Sequence, residues 1–129
     1  MRLPREVPPP PAVRAALEQL FGESIGAVRV IEHSLRVRLH GRAIATTRPD
    51  RIYLRGDAAR FFADPRLMLH EYWHVLGQWR RGSLTVPRYL AECLRRGYWS
   101  NRFEVEARAF AERHAAALAA LIDCPLSAR

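Results

Sequence analysis

At 129 residues, 49% apolar and 26% charged, the chain has the size and composition of one globular domain, which excludes a disordered or two-domain architecture. Its 21 basic residues, all arginine, outnumber 13 acidic ones for a net charge of +8; eleven arginines face six acids up to Phe62 and ten face seven after it, so the basicity is spread and argues against a nucleic-acid-reading stripe. No apolar stretch reaches the ~20 residues of a membrane span, and the start lacks the apolar run of a secretory signal, so a cytoplasmic protein, or one exported by a non-Sec route, is expected.

In chain order, residues 1–11 read as a proline-rich leader and residues 12–129 as a single domain. Pro8, Pro9, Pro10 and Pro11 make a stiff start, and Pro11 suits the first position of a helix over residues 12–21. Residues 24–55 are β-like: 27–32 is β-branched, and Leu35, Val37 and Leu39 alternate with Arg36, Arg38 and His40. Pro49-Asp50 separates segments 43–47 and 51–55 as a hairpin. Asp64-Pro65 is a cap and first-turn proline for a helix over 66–80, stopped by Gly82. A second helix is expected over 87–96 and a long alanine-rich one over 101–122. The fold class is α+β: a small antiparallel-type sheet, a helix carrying the chemistry, and C-terminal helices. Cys93 and Cys124 form no Cys-x-x-Cys pair and read as unpaired packing residues.

The chemistry concentrates in His70-Glu71-Tyr72-Trp73-His74, an H-E-x-x-H pattern inside the third expected helix. Histidines at i and i+4 lie about 40° apart around a helix, so both imidazoles reach one ion. Glu71 falls beside that ion and not on it, the position of a general base. On the helix wheel Met68, Leu69, Tyr72, Trp73, Val75, Leu76 and Trp79 fill one arc; His70, Glu71, His74, Gly77 and Gln78 fill the other.

A zinc site with three protein ligands needs one more donor. The extended pattern ending in a third histidine fails, because position 80 is Arg80. The long final helix offers Glu104 and Glu106. Glu104 lies on the edge of the buried stripe Phe103, Ala107, Phe110, Leu118 and Leu121, with small Ala111 and Ala115 further along; Glu106 is within reach of Arg102 and Arg113 as a surface ion pair. Glu104 is the favoured third ligand. His114 falls on the buried stripe as a hydrogen-bonded core residue, and His33 and His40 have no metal-binding spacing.

The segments Arg42-Ala43-Ile44-Ala45-Thr46-Thr47, Arg51-Ile52-Tyr53-Leu54, Leu69-His70-Glu71-Tyr72-Trp73-His74-Val75, Gln78-Trp79, Arg88-Tyr89-Leu90, Gly97-Tyr98 and Asn101-Arg102-Phe103-Glu104-Val105-Glu106-Ala107 resemble the small bacterial zincin-like domain associated with extracellular contractile injection systems. That family is similar to gluzincins. The resemblance implies a zincin-like metallopeptidase domain, a Zn²⁺ cofactor held by His70, His74 and Glu104, and Glu71 as the base that deprotonates a water molecule. It also implies a peptide or protein substrate, an injection-system or other protein partner, and an edge strand, either 52–55 or 43–47, that pairs with the substrate. Many gluzincins support a ligand histidine with an aspartate where this chain has Arg108. Tyr98, Tyr89 and Arg80 are the candidates for stabilising a developing oxyanion. The competing functions are a catalytically silent, zinc-stabilised interaction module and a nucleic-acid-binding protein; a carboxylate beside the ion favours the peptidase over the module.

Overall fold

The computed structural model describes residues 2–38, 41 and 43–124. A four-stranded sheet is covered on one face by helices, in the order β1 (Arg5–Glu6), α1 (Pro11–Phe21), β2 (Arg29–Glu32), α2 (Leu35–Arg38), β3 (Ala45–Arg48), β4 (Arg51–Leu54), α3 (Ala58–Phe62), α4 (Pro65–Tyr72), a π-helical turn (Trp73–Trp79), α5 (Val86–Ser100) and α6 (Arg102–Asp123). The architecture is α+β, as expected from the sequence. Strand order is β1-β2-β4-β3; two pairings are antiparallel, and the central β2–β4 pairing is parallel.

The parallel pairing follows from the connection between β2 and the hairpin. The alternation over Leu35, Val37 and Leu39 reads as strand, but Leu35–Arg38 is one helical turn, with Val37 buried and Arg36 outside. Leu39, His40 and Arg42 lie outside the described residues. Arg55 fixes this crossover by donating to the carbonyls of Ala43, Val37 and Gly41. The leader is also less detached than its prolines suggest: Arg5–Glu6 adds a strand to β2, tied down by Arg5–Glu32 and Arg29–Glu6 ion pairs.

Helix ends follow local chemistry. Asp64 accepts from the Leu67 N–H and Thr85 from the Arg88 N–H, capping α4 and α5. Gly97 interrupts α5 with φ of 76° and ψ of 170°, a conformation open to glycine and costly for other residues. The core joins Leu17, Val30, Ile52, Phe61, Leu69, Tyr72, Val75 and Leu118. Fully burying one such large side chain contributes ~1.5–3 kcal/mol. Ala107 and Ala111, both buried, let α6 lie close against α4. Cys93 is half-buried and Cys124 exposed, both as free thiols, so Cys124 does not serve the packing role expected of it. No helix among the described residues is long and apolar enough to cross a membrane.

The expected third helix continues through His74, but its last part winds as a π-helix, a form concentrated at functional sites. Gly77 is required there for space: a Cβ would fall 2.5 Å from the Trp73 ring. That ring is held by stacking on Phe110 at 4.4 Å and by its N–H donating to Glu106. Gly77→Ala gains helix propensity elsewhere, yet here it should cost about 1–3 kcal/mol in chemical denaturation by displacing Trp73; a stabilised variant would contradict the packing.

Glu32 is held below its ordinary value of 4.5, chiefly by the Ala58 N–H and further by Arg5, against the opposing effect of burial. A folded-state value below the unfolded one gives stability that is present above about 4.5 and lost as pH falls through the folded value. Glu32→Gln should therefore be less stable than wild type by about 1–2 kcal/mol at neutral pH. The gap should close on acidification, and thermal melts showing it widen in acid would refute the assignment.

Candidate metal centre

The cleft lies between β3 and the helices, has a volume of about 380 Å³, and has His70, Glu71, His74, Tyr89, Tyr98 and Glu104 in its lining. The site begins with α4 and its π-helical extension, which present His70, Glu71 and His74 on the side away from the sheet-facing core. That side does not face solvent: Glu71, His74 and Gln78 are buried, because α6 and the hairpin close over them. His70 and His74 rings sit edge-on at 4.9 Å.

Glu104 enters from the first turn of α6, where the helix dipole favours a carboxylate. Its position is set by the α5–α6 junction. Asn101 accepts from the Phe103 N–H and donates to the Tyr89 carbonyl, and Glu92 accepts from the Arg102 N–H. Arg108, at the position where many gluzincins have an aspartate, donates to the Trp99 carbonyl and stacks over the Trp99 ring at 3.7 Å, fastening the segment that carries Tyr98.

His70 Nε2 and His74 Nε2 lie 3.0 and 3.1 Å from the same oxygen, Oε1 of Glu104. The three candidate ligating atoms are all within 4.8 Å of one another. Ligands of a tetrahedral zinc stand about 3.3 Å apart, given metal–ligand bonds of ~2.0–2.2 Å, so these residues fit such an ion. The other oxygen of Glu104 accepts from the Tyr89 hydroxyl at 2.7 Å. Burial opposes the charge on Glu104, but hydrogen bonds from His70, His74 and Tyr89 outweigh it and hold the carboxyl well below its usual range. For His74, burial favours the neutral ring, and the bond to Glu104 with the charges of Glu104 and Glu71 reverses this and raises its value. Glu71 is pushed up by burial, partly offset by both histidines.

A second layer of contacts was not legible as a motif. His74 Nδ1 and Gln78 Oε1 are 2.7 Å apart, while the Gln78 amide donates to the Phe103 carbonyl and to Glu106. With its NH₂ so committed, Gln78 can only accept from His74, so Nδ1 carries a proton, and in the charged ring that the raised value favours Nε2 donates to Glu104 as well. The support that Arg108 cannot give comes from the same helix as the histidine. Glu106 is thus not the surface ion pair expected: it accepts from Trp73 and Gln78 and anchors this network. The one sequence signal was a glutamine four residues after His74 on the polar arc.

The other expected residues separate clearly. Arg80 pairs with Glu23 and Asp50 and does not line the cleft; Tyr89 is committed to Glu104; Tyr98 lines the cleft, and burial with the nearby charges of Glu104 and Glu71 pushes its hydroxyl up to about 12. His114 is half-buried and stacks on Phe110 at 4.5 Å, and none of the described hydrogen bonds involves it. His33 bonds Asp57 at the far end of β2. Segment 52–55 lies mostly in interior strand β4, so of the two candidate segments it is 43–47, with β3, that lies at an edge of the sheet.

Gln78→Leu preserves volume but leaves His74 Nδ1 and Glu106 without this partner. Unfolding free energy should fall by about 1–3 kcal/mol, and, at a pH above the raised value of His74 where its ring is neutral, ¹⁵N NMR should show a mixed tautomer. A single unchanged tautomer in that variant would mean that something other than Gln78 orients the ring.

The sequence profile of the eCIS core domain family matches residues 8–82, a span that includes His70, Glu71, His74 and Gln78 and ends before Tyr89 and Glu104. Neither the curated proteins nor the solved structures compared with the chain match it. With more than half of its length matched, the chain belongs to the eCIS core domain family, which associates it with extracellular contractile injection systems.

Proposed function

We propose that this protein is a zinc-dependent peptidase of gluzincin type, in which His70, His74 and Glu104 hold the metal and Glu71 is the general base. The observation that carries the reading is the convergence of the three donors on one point beside an open cleft, next to the buried Glu71 carboxylate, which has no hydrogen-bond partner among the described residues. Zinc bound there would supply a Lewis acid for a peptide carbonyl and lower the pKa of water toward ~7. The Glu71 carboxylate, raised by burial, would accept the proton of an attacking water and return it to the leaving amine. In this reading Tyr98, which lines the cleft, donates to the developing oxyanion, and Tyr89 keeps Glu104 oriented. The free edge of β3 gives an extended substrate a main-chain partner.

A second reading is a zinc-stabilised, catalytically silent protein module of an injection system, favoured by the family match. The two readings part at Glu71, for which a purely structural metal has no use.

Elemental analysis and a broad peptide-cleavage assay separate them. Alanine at His70, His74 or Glu104 should strip zinc under mild dialysis, while His114→Ala retains it. Glu71→Gln should keep full zinc stoichiometry and lose about 10²–10⁴ in hydrolysis rate. Zinc-loaded wild type that cleaves nothing would leave the silent module; zinc retained by the Glu104 variant would overturn the ligand set.

A further inference from the structure

The walls of the cleft differ in chemistry, and the difference selects a ligand. One wall is the edge of the sheet. The Arg55 N–H donates to the Ile44 carbonyl, and the register pairs Ala45 with Leu54 and Thr47 with Ile52. In an antiparallel ladder, hydrogen-bonded and non-bonded pairs alternate, so Ile44, Thr46 and Arg48 direct their main-chain groups to β4. The N–H and C=O groups of Ala45 and Thr47 then face outward, two residues apart, matched to an extended peptide. Thr47 is pinned by the Trp79 N–H at 3.1 Å, which keeps this edge in place.

Two arginines border that edge. Arg36 lies over Tyr53, the cross-strand partner of Thr46, and Arg48 follows two residues along the same strand. Both line the cleft and are exposed, and no carboxylate among the described residues is within ion-pair distance of either. The acids in the cleft lining, Glu71 and Glu104, lie on its floor among the histidines. The opposite wall is apolar: Leu84, Val86 and Leu90 line it, with Val86 and Leu90 39% and 56% exposed. Leu94 continues that stripe at 89% exposure, one face of an amphipathic helix with nothing packed over it among the described residues.

We propose that the cleft selects an extended polypeptide segment that is acidic beside Arg36 and Arg48 and carries a large apolar side chain against Val86 and Leu90. The occupant runs along the outer edge of β3, taking main-chain hydrogen bonds from Ala45 and Thr47. Alternate side chains of an extended chain point to opposite sides, so one strand meets both walls at once. The strong basic excess of the chain draws such a segment in at long range, and the arginines fix its register. The proposal names the substrate class for the peptidase reading and rests on that reading only for the fate of the bound segment.

The test uses three short fluorescein-labelled peptides with one leucine-containing centre, flanked by aspartate, lysine or asparagine. Anisotropy is read with zinc-loaded Glu71→Gln protein, so that no turnover intervenes, and again with metal-free wild type. The aspartate peptide should bind about tenfold more tightly than the asparagine peptide and weaken as salt rises. Arg36→Ala with Arg48→Ala should erase that preference while the melting temperature and asparagine-peptide affinity hold. Glu at both positions should invert it toward lysine. N-methylating alternate backbone amides of the aspartate peptide should abolish binding, since methylated amides cannot donate to β3.

Equal affinities for the three peptides, or a preference unmoved by both arginine pairs, would overturn the proposal. So would equally potent competition by short single-stranded DNA, which would show that bare charge is being read. Selective binding without hydrolysis by wild type would retire the peptidase reading alone. Hydrolysis of all three peptides with one KM would retire this proposal alone.

Discussion

A buried carboxylate pulled toward two imidazoles organises this protein. Glu104 would be expensive to ionise in its surroundings without help, and it receives that help from His70, His74 and Tyr89 together. The donors come from two places in the chain: the α4–π segment gives the histidines and α5 gives the tyrosine. Satisfying this one group therefore fixes how α5 and α6 sit on α4. The small residues Ala107 and Ala111 make the close approach sterically possible, and Asn101 and Glu92 lock the junction. The polar site and the packing of the C-terminal helices are the same constraint seen from two sides.

The supporting network extends this logic outward. Glu106 accepts from the Trp73 indole and the Gln78 amide, Gln78 accepts from His74, and Trp73 stacks on Phe110, which in turn stacks on Phe21 of α1. Orientation of one histidine is tied by these contacts to the aromatic packing on the far side of the helix. A connected network of this kind, buried at Gln78 and His74 and reaching the surface at Glu106, restricts the side chains it holds. The cleft in front of it is different in character: Val86, Leu90 and the arginines at 36 and 48 are exposed, the arginines lying over the rings of Tyr53 and Trp79. Rigid floor and accessible walls suit a site where geometry must be kept while a ligand is exchanged.

Family membership bears on the two halves of the site unequally. The matched span carries strands β2, β3 and β4, the histidine pair, Glu71 and Gln78, whereas β1, Tyr89, Tyr98 and Glu104 lie outside it. The injection-system association belongs to the chain as a member; catalysis depends on what α5 and α6 add, and stands as our proposal.

The amino-acid sequence by itself determined the elements with strong local signals. Pro11, the Asp64-Pro65 cap, the Pro49-Asp50 turn and the H-E-x-x-H spacing specify helix starts, a hairpin and a histidine pair through backbone geometry that acts within a few residues. It also favoured Glu104 over Glu106, because small residues along one edge of a helix mark where another helix comes close. Alternation misled at Leu35, where a single turn packed under Arg55 wins over strand pairing, and the same local view missed β1, whose partner lies more than twenty residues away. Only the tertiary structure decided that Gln78 orients His74, that Glu106, though exposed, anchors Trp73 and Gln78, that Arg80 belongs to another ion-pair cluster, and that β3 and not β4 lies at the sheet edge. These depend on which side chains meet across elements distant in sequence, and hydrogen-bond partners of that kind have no period for a sequence to display.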